Sequence, residues 1–570
     1  MSQTLWQTPD VTRKERFCIV LLLGAVVFAY GNALWNGFAQ DDLQLYIVHN
    51  AQVTEPSLRA LFTPQMAAKV FRPVTIGTFA LDWKAGGGRP FAFHVVNLLL
   101  HAAVTLLFYV LLLALLQSSV HANEVACAAA LLFAVHPIHT EAVTSIVGRA
   151  ELLAAGFLLA AWILHLKDRA IPALICFVLA LLSKESAVVF LPLTLIGDYA
   201  RSRWKPKLRY MGIAGVSLLY LCVLWKVRGG LASAGIRLLD NPLASLPAGP
   251  RILNALRVAW KYVGLQIYPA TLSCDYSFNE IPLYRDWHHT LPAAIGAVAV
   301  FSGWLWAVWR RQHALALAGG VYLAGFAVTA NIVMPIGTIM GERLAYLPSA
   351  GFCLLIALGW GWLRERQQVL ALGVLAVLVA VLGARTVARN RDWKDNLTLY
   401  SAAVRAVPGS AKMHQALGVE YMQAGQLDLA SKELQAALQI NPAYAEAREA
   451  YGLLEDWKGN YQTAGEMLES AFYMVGRNHP NYDDMAVNLA VVYMETNHMD
   501  GALDILNHEI ADSPRFARAW AIRGMVHHKR GEVSAARADG ETALRLDPAS
   551  RPARELMHLL NPPAQPISAQ

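Results

Sequence analysis

The sequence predicts an all-α protein in two parts: an N-terminal bundle of membrane-crossing helices, then a water-soluble C-terminal solenoid of helical repeats. Two observations carry this. Long apolar stretches follow one another up to about residue 388, beyond which charge and polarity become ordinary. After residue 410 the chain repeats itself with a 34-residue period. The composition of all 570 residues averages over the break, with 56 % apolar and only 16 % charged residues, against roughly 25 % charged in a soluble domain.

Candidate crossings lie near 17–36, 91–117, 124–140, 150–166, 170–182, 186–198, 209–226, 291–309, 314–332, 343–362 and 368–388. Several are shorter than the roughly 20 residues that a straight crossing needs. At the N-terminus Arg13, Lys14, Glu15 and Arg16 precede an apolar run with no clear small-x-small cleavage site after it, which predicts an uncleaved signal anchor. The stretch 252–270 is apolar overall but carries Arg257 and Lys261, and a charge at mid-bilayer costs at least ~2.5 kcal/mol. With the N-terminal cluster in the cytoplasm and 252–270 left out, Lys167/Arg169, the basic residues of 201–209, Arg310/Arg311 and Arg364/Arg366 all fall on the cytoplasmic side. Counting 252–270 as a crossing sends the last two clusters across. The positive-inside bias therefore predicts about eleven spans, with 252–270 interfacial or re-entrant. An odd count leaves the N-terminus cytoplasmic and the C-terminal repeats in a periplasm or an organelle lumen. The same clustering accounts for the net charge of +7 without a nucleic-acid partner. Cys18, Cys127, Cys176, Cys222 and Cys353 sit in or beside apolar stretches and Cys274 in a loop; no pairing or zinc spacing emerges.

The first repeat unit has Leu417, Gly418, Tyr421, Ala430, Leu434, Ala437 and Pro442 at the offsets of a tetratricopeptide repeat. The second has Tyr451, Gly452, Ala464, Leu468 and Ala471. A third, after a four-residue insertion, has Leu489, Ala490, Tyr493, Ala502, Leu506 and Pro514; a fourth has Trp520, Gly524, Gly531, Ala536, Ala543 and Pro548. Small residues let paired helices approach, aromatics fill the holes, and proline stops the second helix. Tyr400, Ala403 and Pro408 fit half a repeat. The expected division is a membrane domain over 1–388, a junction and partial repeat over 389–410, repeats with a capping helix over 411–560, and a flexible tail over 561–570. Solenoids of this kind present a concave groove, so binding of a protein or peptide is expected there.

Ionisable residues beside membrane spans are functional-site hypotheses by default. Asp41 and Asp42 open a long loop after the first span, and a carboxylate pair there supplies a general base and an orienting partner. The same loop holds Arg72 and Asp82, and the next span opens with His94, Asn97 and His101 on one helical face. Further turns carry His136, His139 and Glu141, then Arg149 and Glu151, then Lys184 and Glu185, then Glu342, Arg343 and Tyr346. Under the predicted topology all of them face the non-cytoplasmic side, so they read as one polar, substrate-binding cavity. A metal set built from His136, His139, Glu141 and the two aspartates has weak ligand spacing; packing and hydrogen bonding are expected instead.

At these residues the chain resembles a known family. The runs FRPVTIGTFALDW (71–83), FHVVNLLLHA (93–102), FAVHPIHTEAVTSIVGRAELLAA (133–155), SKES (183–186) and GERLAYLPSAGF (341–352) are similar to those of the transmembrane and tetratricopeptide-repeat O-mannosyltransferases, in the GT-C glycosyltransferase superfamily. RDWKDNLTLY (391–400) matches their junction with the first repeat. The resemblance implies transfer of a sugar, mannose, from a polyprenyl or dolichyl phosphate donor to a hydroxyl of an acceptor, a protein Ser or Thr. It implies Asp41 and Asp42 as the acidic pair that takes the acceptor's proton. Arg72, Lys184 and Arg343 are then the candidates to hold the leaving phosphate, with no cofactor or metal required. The repeats would bind the acceptor protein. The array is shorter than in many relatives, which leans towards a bacterial member.

The rival reading is a non-catalytic, membrane-anchored repeat scaffold for an envelope or secretion complex. A scaffold needs one anchor, not many spans with ionisable turns on one side. A transporter would need ionisable groups deep within its spans, and the sequence shows few.

Overall fold

The computed structural model describes residues 12–64, 70–117, 121–229 and 236–561. They form helices joined by turns and loops, with no sheet among them, in two compact units, Met1–Gly409 and Ser410–Gln570.

In the first unit, local signals set the helix ends. Thr12 and Glu15 make a reciprocal cap at the start of Arg13–Tyr30, satisfying two otherwise orphaned N–H groups. Pro73, Pro90 and Pro348 sit in the first turns of Pro73–Gly86, Pro90–Leu115 and Pro348–Arg366, where a missing N–H removes no helical bond. Gly229 closes Lys207–Arg228 at φ 71°, a left-handed conformation that glycine adopts without a Cβ penalty.

Arg149–Leu166 is the central helix, packed against Pro90–Leu115 and Ala170–Ser183. At the periphery, Leu291–Trp309 buries only Ala307 and leaves Ile295, Val298, Phe301 and Leu305 exposed. Such a continuous apolar face is costly in water and suits hydrocarbon. Six described helices are long and apolar enough to cross a bilayer: Arg13–Trp35, Pro90–Leu115, Arg149–Leu166, Lys207–Arg228, Leu291–Trp309 and Gln368–Trp393. Ala122–Val135 and Pro137–Val143, bent by 52° where they meet, make a seventh if taken together. The expected eleven spans are therefore not confirmed. The stretches predicted at 170–182, 186–198 and 314–332 fold as helices of 14, 11 and 14 residues. At 1.5 Å per residue these fall short of a hydrocarbon core of roughly 30 Å.

The stretch 252–270 becomes the helix Ala248–Ile267, with Asn254, Ala255, Val258, Tyr262 and Leu265 buried. Its cations face neighbouring loops: Arg257 donates to the Pro282 carbonyl at 2.8 Å, and Lys261 pairs with Glu280 at 3.2 Å. It is not among the six crossing helices.

The segment read as a junction and half-repeat folds with the first unit. Gly37 N–H donates to the Lys394 carbonyl at 2.8 Å and Gln40 N–H to Asn396 Oδ1 at 2.7 Å. Trp393, Leu399 and Ala403 are buried.

The second unit is four helical hairpins and a terminal helix: Ala411–Gln423 with Leu427–Ile440, Ala445–Trp457 with Tyr461–Met474, Tyr482–Glu495 with Met499–Asp512, Ala517–Lys529 with Val533–Leu546, then Arg551–Leu560. A left-handed residue stands in the turn of each hairpin, at Gly425, Gly459, Asn497 and Gly531 (φ 72°, 80°, 64° and 78°). A Cβ on Gly418 would come within 2.7 Å of Leu434, and one on Gly452 within 2.8 Å of Leu468; close approach within a hairpin requires glycine there. The predicted tail beyond Asn561 lies outside the described residues.

Candidate active site

The chain after the first crossing turns through Gly31–Trp35 and winds into the short helix Asp42–Tyr46, leaving Asp41 at its entrance. The two aspartates part company here. Asp42 is 2 % exposed. Its Oδ2 accepts from Ala39 N–H and its Oδ1 from Val147 N–H, both at 3.1 Å. Burial pushes its carboxyl up to about 7, although the two backbone donors oppose the rise. Asp41 is half-buried, and no hydrogen bond or ion pair engages its carboxylate among the described residues.

Around this loop the structure assembles charges from distant turns. Arg72 grips Glu185 with two prongs, Nε to Oε2 at 3.1 Å and Nη2 to Oε1 at 3.0 Å, and Arg228 joins at 3.0 Å. Burial alone would raise Glu185, but Arg72, Arg228 and Lys184 together bring its carboxyl down to about 2. Lys184, itself buried, pairs with Glu151 at the start of the central helix; burial lowers its pKa. Arg343 pairs with Glu141 through its guanidinium and through its backbone N–H at 2.8 Å. Only Nη1 of that guanidinium is engaged among the described residues, which leaves Nε and Nη2 open.

These pairs form one cluster. Arg343 lies in the field of Glu141, Asp41, Glu151 and Tyr46, and Lys184 in that of Glu151, Arg72, Arg343 and Glu185. Within it, Asp41 and Arg343 are groups of opposite sign that each keep hydrogen-bonding capacity among the described residues. Of the residues singled out from the sequence, Asp41, Asp42, Arg72, Glu141, Glu151, Lys184, Glu185 and Arg343 come together here. Tyr46 and Arg228 were missed. Arg228 had a readable signal, a cation at the end of a span opposite the predicted basic side; Tyr46 had none.

Other candidates lie apart from this cluster, most of them engaged by neighbouring elements. Arg149 is fully buried and spends its donors on Asp82 at 2.6 Å, Asn97 Oδ1 at 2.7 Å and the Phe93 carbonyl at 2.9 Å, with Phe79 against its face. His136 caps the bend between helices, accepting from Ile138 N–H at 3.2 Å and meeting the Gln266 carbonyl at 3.0 Å. His139 meets Ser349 Oγ at 2.7 Å, packed among Phe133, His101 and Tyr346. His94 is buried near the backbone of Asn36 and Gly37, and neither of its ring nitrogens makes a hydrogen bond among the described residues. Glu342 turns from its neighbour Arg343 towards another loop, accepting from Ser273 N–H at 2.6 Å and Tyr276 O–H at 2.7 Å. Burial pushes it up to about 7, opposed by Arg389. The histidines, Glu141 and the aspartates do not converge as ligands: among the described residues no three His, Cys, Asp or Glu are placed to hold a metal ion.

Comparison with known proteins bears on both units. Two family models, each described as a tetratricopeptide repeat, match residues 411–444 and 487–551. The protein O-mannosyl-transferase F38B6.6 of Caenorhabditis elegans is 31 % identical over 446 residues, covering 75 % of this chain and 63 % of its own. The protein O-mannosyl-transferase TMTC3 is 27 % identical in Homo sapiens, covering 93 % and 64 %, and 26 % identical in Mus musculus, covering 94 % and 64 %. The chain thus spans just under two thirds of the length of these relatives. All three are animal proteins and lend no support to a bacterial source. Among solved structures, the APC/C hetero-tetramer Cut9-Hcn1 matches 86 % of this chain and 93 % of its own at 15 % identity. Its TM-score of 0.28 is too low to carry an argument.

Proposed function

The chain belongs to the family of transmembrane and tetratricopeptide-repeat O-mannosyltransferases, and from that premise we propose that it is a membrane glycosyltransferase. It takes mannose from a polyprenyl-phosphate-linked donor and places it on a serine or threonine hydroxyl of a protein acceptor. The observation that carries the reading is a carboxylate without a hydrogen-bond or ion-pair partner among the described residues, Asp41, in the field of Arg343, whose guanidinium keeps an open edge.

In the reaction, the acceptor oxygen bonds to the anomeric carbon as the bond from that carbon to the phosphate oxygen breaks. The acceptor's proton passes to Asp41, and the electron pair leaves with the lipid phosphate. Arg343, with Lys184 and Arg72, stabilises the charge that grows on the phosphate. The glutamates hold these cations in place before the donor arrives. Asp42 positions its neighbour by tying the loop to the turn at Val147. None of these steps calls on a metal.

The orientation follows the basic clusters. The charge cluster sits where the first helix ends and the central helix begins. The opposite ends carry Lys205, Arg203 and Arg209 around Asp168, and Lys14 and Arg364 beside Glu124. By the positive-inside bias that end is cytoplasmic, and the cluster and repeats are not. The repeat array holds the acceptor protein.

The test is transfer of radiolabelled mannose from polyprenyl phosphate mannose to candidate protein acceptors by the purified chain, beside its Asp41→Asn variant. Label transferred by the native protein and lost in the variant supports the assignment. Equal transfer by both removes Asp41 as the base, and no donor binding with any polyprenyl phosphate sugar removes the enzyme reading.

A further inference from the structure

A cavity of about 470 Å³ opens at the end of the first unit remote from the charge cluster. It lies between the starts of Arg13–Tyr30 and Ala122–Val135, the end of Pro348–Arg366 and the start of Gln368–Asn390. The other ends of the first three lead into the turns that carry Asp41, Glu141 and Arg343, so the cavity and the charge cluster occupy opposite ends of the same helices.

Its chemistry changes along its length. The mouth carries Arg13, Lys14 and Arg364 against one carboxylate, Glu124. Glu124 stands 3.8 Å from Lys14 and 3.6 Å from Arg364. Neither contact is a tight pair at these lengths, and one carboxylate faces three cations, so the mouth keeps an excess of positive charge. Deeper in, the lining is apolar, with Phe17, Leu131 and Leu375. Trp360 marks the boundary: its indole N–H donates to the Ala371 carbonyl at 2.7 Å, and the Arg364 guanidinium lies 5.8 Å from its ring centroid. Tryptophan beside arginine at a helix end is the arrangement that rests at the level of lipid headgroups.

We propose that this cavity is a binding site for one anionic phospholipid, with the phosphate on Arg13, Lys14 and Arg364 and an acyl chain along the wall of Phe17, Leu131 and Leu375. A site cationic at headgroup depth and apolar below it matches such a lipid in both charge and polarity. A neutral phospholipid carries a compensating cation that the three basic side chains repel. The bound lipid bridges the first helix to Pro348–Arg366 and Gln368–Asn390, and so braces helices whose far ends bear the charge cluster. The inference is independent of the sugar-transfer reading.

The full chain, stripped of endogenous lipid in detergent, is titrated with dioleoyl phosphatidylglycerol or dioleoyl phosphatidylcholine. Retained lipid is counted by native mass spectrometry and stability is followed by thermal unfolding. One phosphatidylglycerol retained per chain, with a raised melting temperature that phosphatidylcholine does not reproduce, is the expected result. Lys14→Gln and Arg364→Gln should each weaken retention about fivefold. Leu375→Trp, which fills the groove and leaves every cation in place, should abolish it. Equal retention of both lipids by the native chain overturns the proposal without reference to any variant. So does undiminished phosphatidylglycerol binding in the charge variants or in Leu375→Trp.

Discussion

Asp42 Oδ1 accepts the backbone N–H of Val147 at 3.1 Å, across 105 positions of sequence, while among the described residues the carboxylate beside it in the chain makes no such bond. Adjacent aspartates therefore hold different posts. Asp41→Asn should lower kcat by about 10²–10⁴-fold, the range for a lost general base, with no change in melting temperature. Asp42→Asn should act first on stability, by about 1–3 kcal/mol, because an amide offers one acceptor oxygen where two N–H donors wait. Transfer rates and thermal unfolding of both variants check this. The reverse assignment of effects would move the base to Asp42.

Stability should follow pH through the same carboxylate. Burial raises Asp42 from 3.8 to about 7 and Glu342 from 4.5 to about 7, so the folded state binds these protons more tightly than the unfolded one. Their contribution is full below the unfolded values and fades as pH climbs through about 7. Glu185, lowered from 4.5 to about 2, works the other way: its contribution is present above 4.5 and is lost as pH falls towards 2. In unfolding scans against pH, Glu342→Gln should flatten the slope between about pH 4.5 and 7, and Glu185→Gln the acid limb. Unaltered profiles would count against both environments.

Arg149→Met should leave a folded molecule's donor affinity unchanged yet cost about 3–5 kcal/mol of stability, because it strands Asp82 in the interior. Donor titration and denaturant unfolding in detergent separate the two effects. A large fall in donor affinity with stability intact would return Arg149 to the binding site.

Arg343→Ala should lower kcat/KM for the lipid-linked donor by about 10²-fold, as for removal of one donor to a developing oxyanion. The KM of the acceptor should not move. Arg343→Lys should restore little, because a lysine cannot offer two planar N–H groups at once. Full rescue by lysine would reduce the role to charge alone.

Removing 410–570 should leave donor binding and transfer to a short peptide intact while impairing transfer to a protein acceptor. Paired assays with peptide and protein acceptors distinguish acceptor selection from catalysis. Equal use of the protein acceptor by the shortened chain would show that the repeats do not select it.

The repeats were legible almost residue by residue, because each fixed offset encodes a contact that recurs in every hairpin. The membrane unit was legible as a class and less so in detail. Hydropathy marks apolar stretches but not how they are used, and Ala170–Ser183, whose 14 residues differ little from the apolar stretch at 170–182, read as a crossing on apolarity despite its length. For the site, the sequence named turns that the structure brings together and left their inward and outward residues unsorted. Glu342 and Arg343 adjoin, yet one turns to Ser273 and Tyr276 and the other to Glu141. The buried histidines show the physical limit: a polar ring that caps a bend, as His136 does, has the same sequence appearance as one that meets a ligand.

The hairpin turns of the second unit carry one more consequence. Three of their left-handed positions are glycine, and the third, after the insertion, is Asn497. Three of the four extra residues fall in the linker between Met474 and Tyr482, and the hairpin that follows keeps its turn and, to within one residue, its helix lengths. Length is absorbed between hairpins and refused within them. An epitope tag or a reactive handle spliced into that linker should therefore be carried silently, and the same splice beside Gly425 or Gly459 should not.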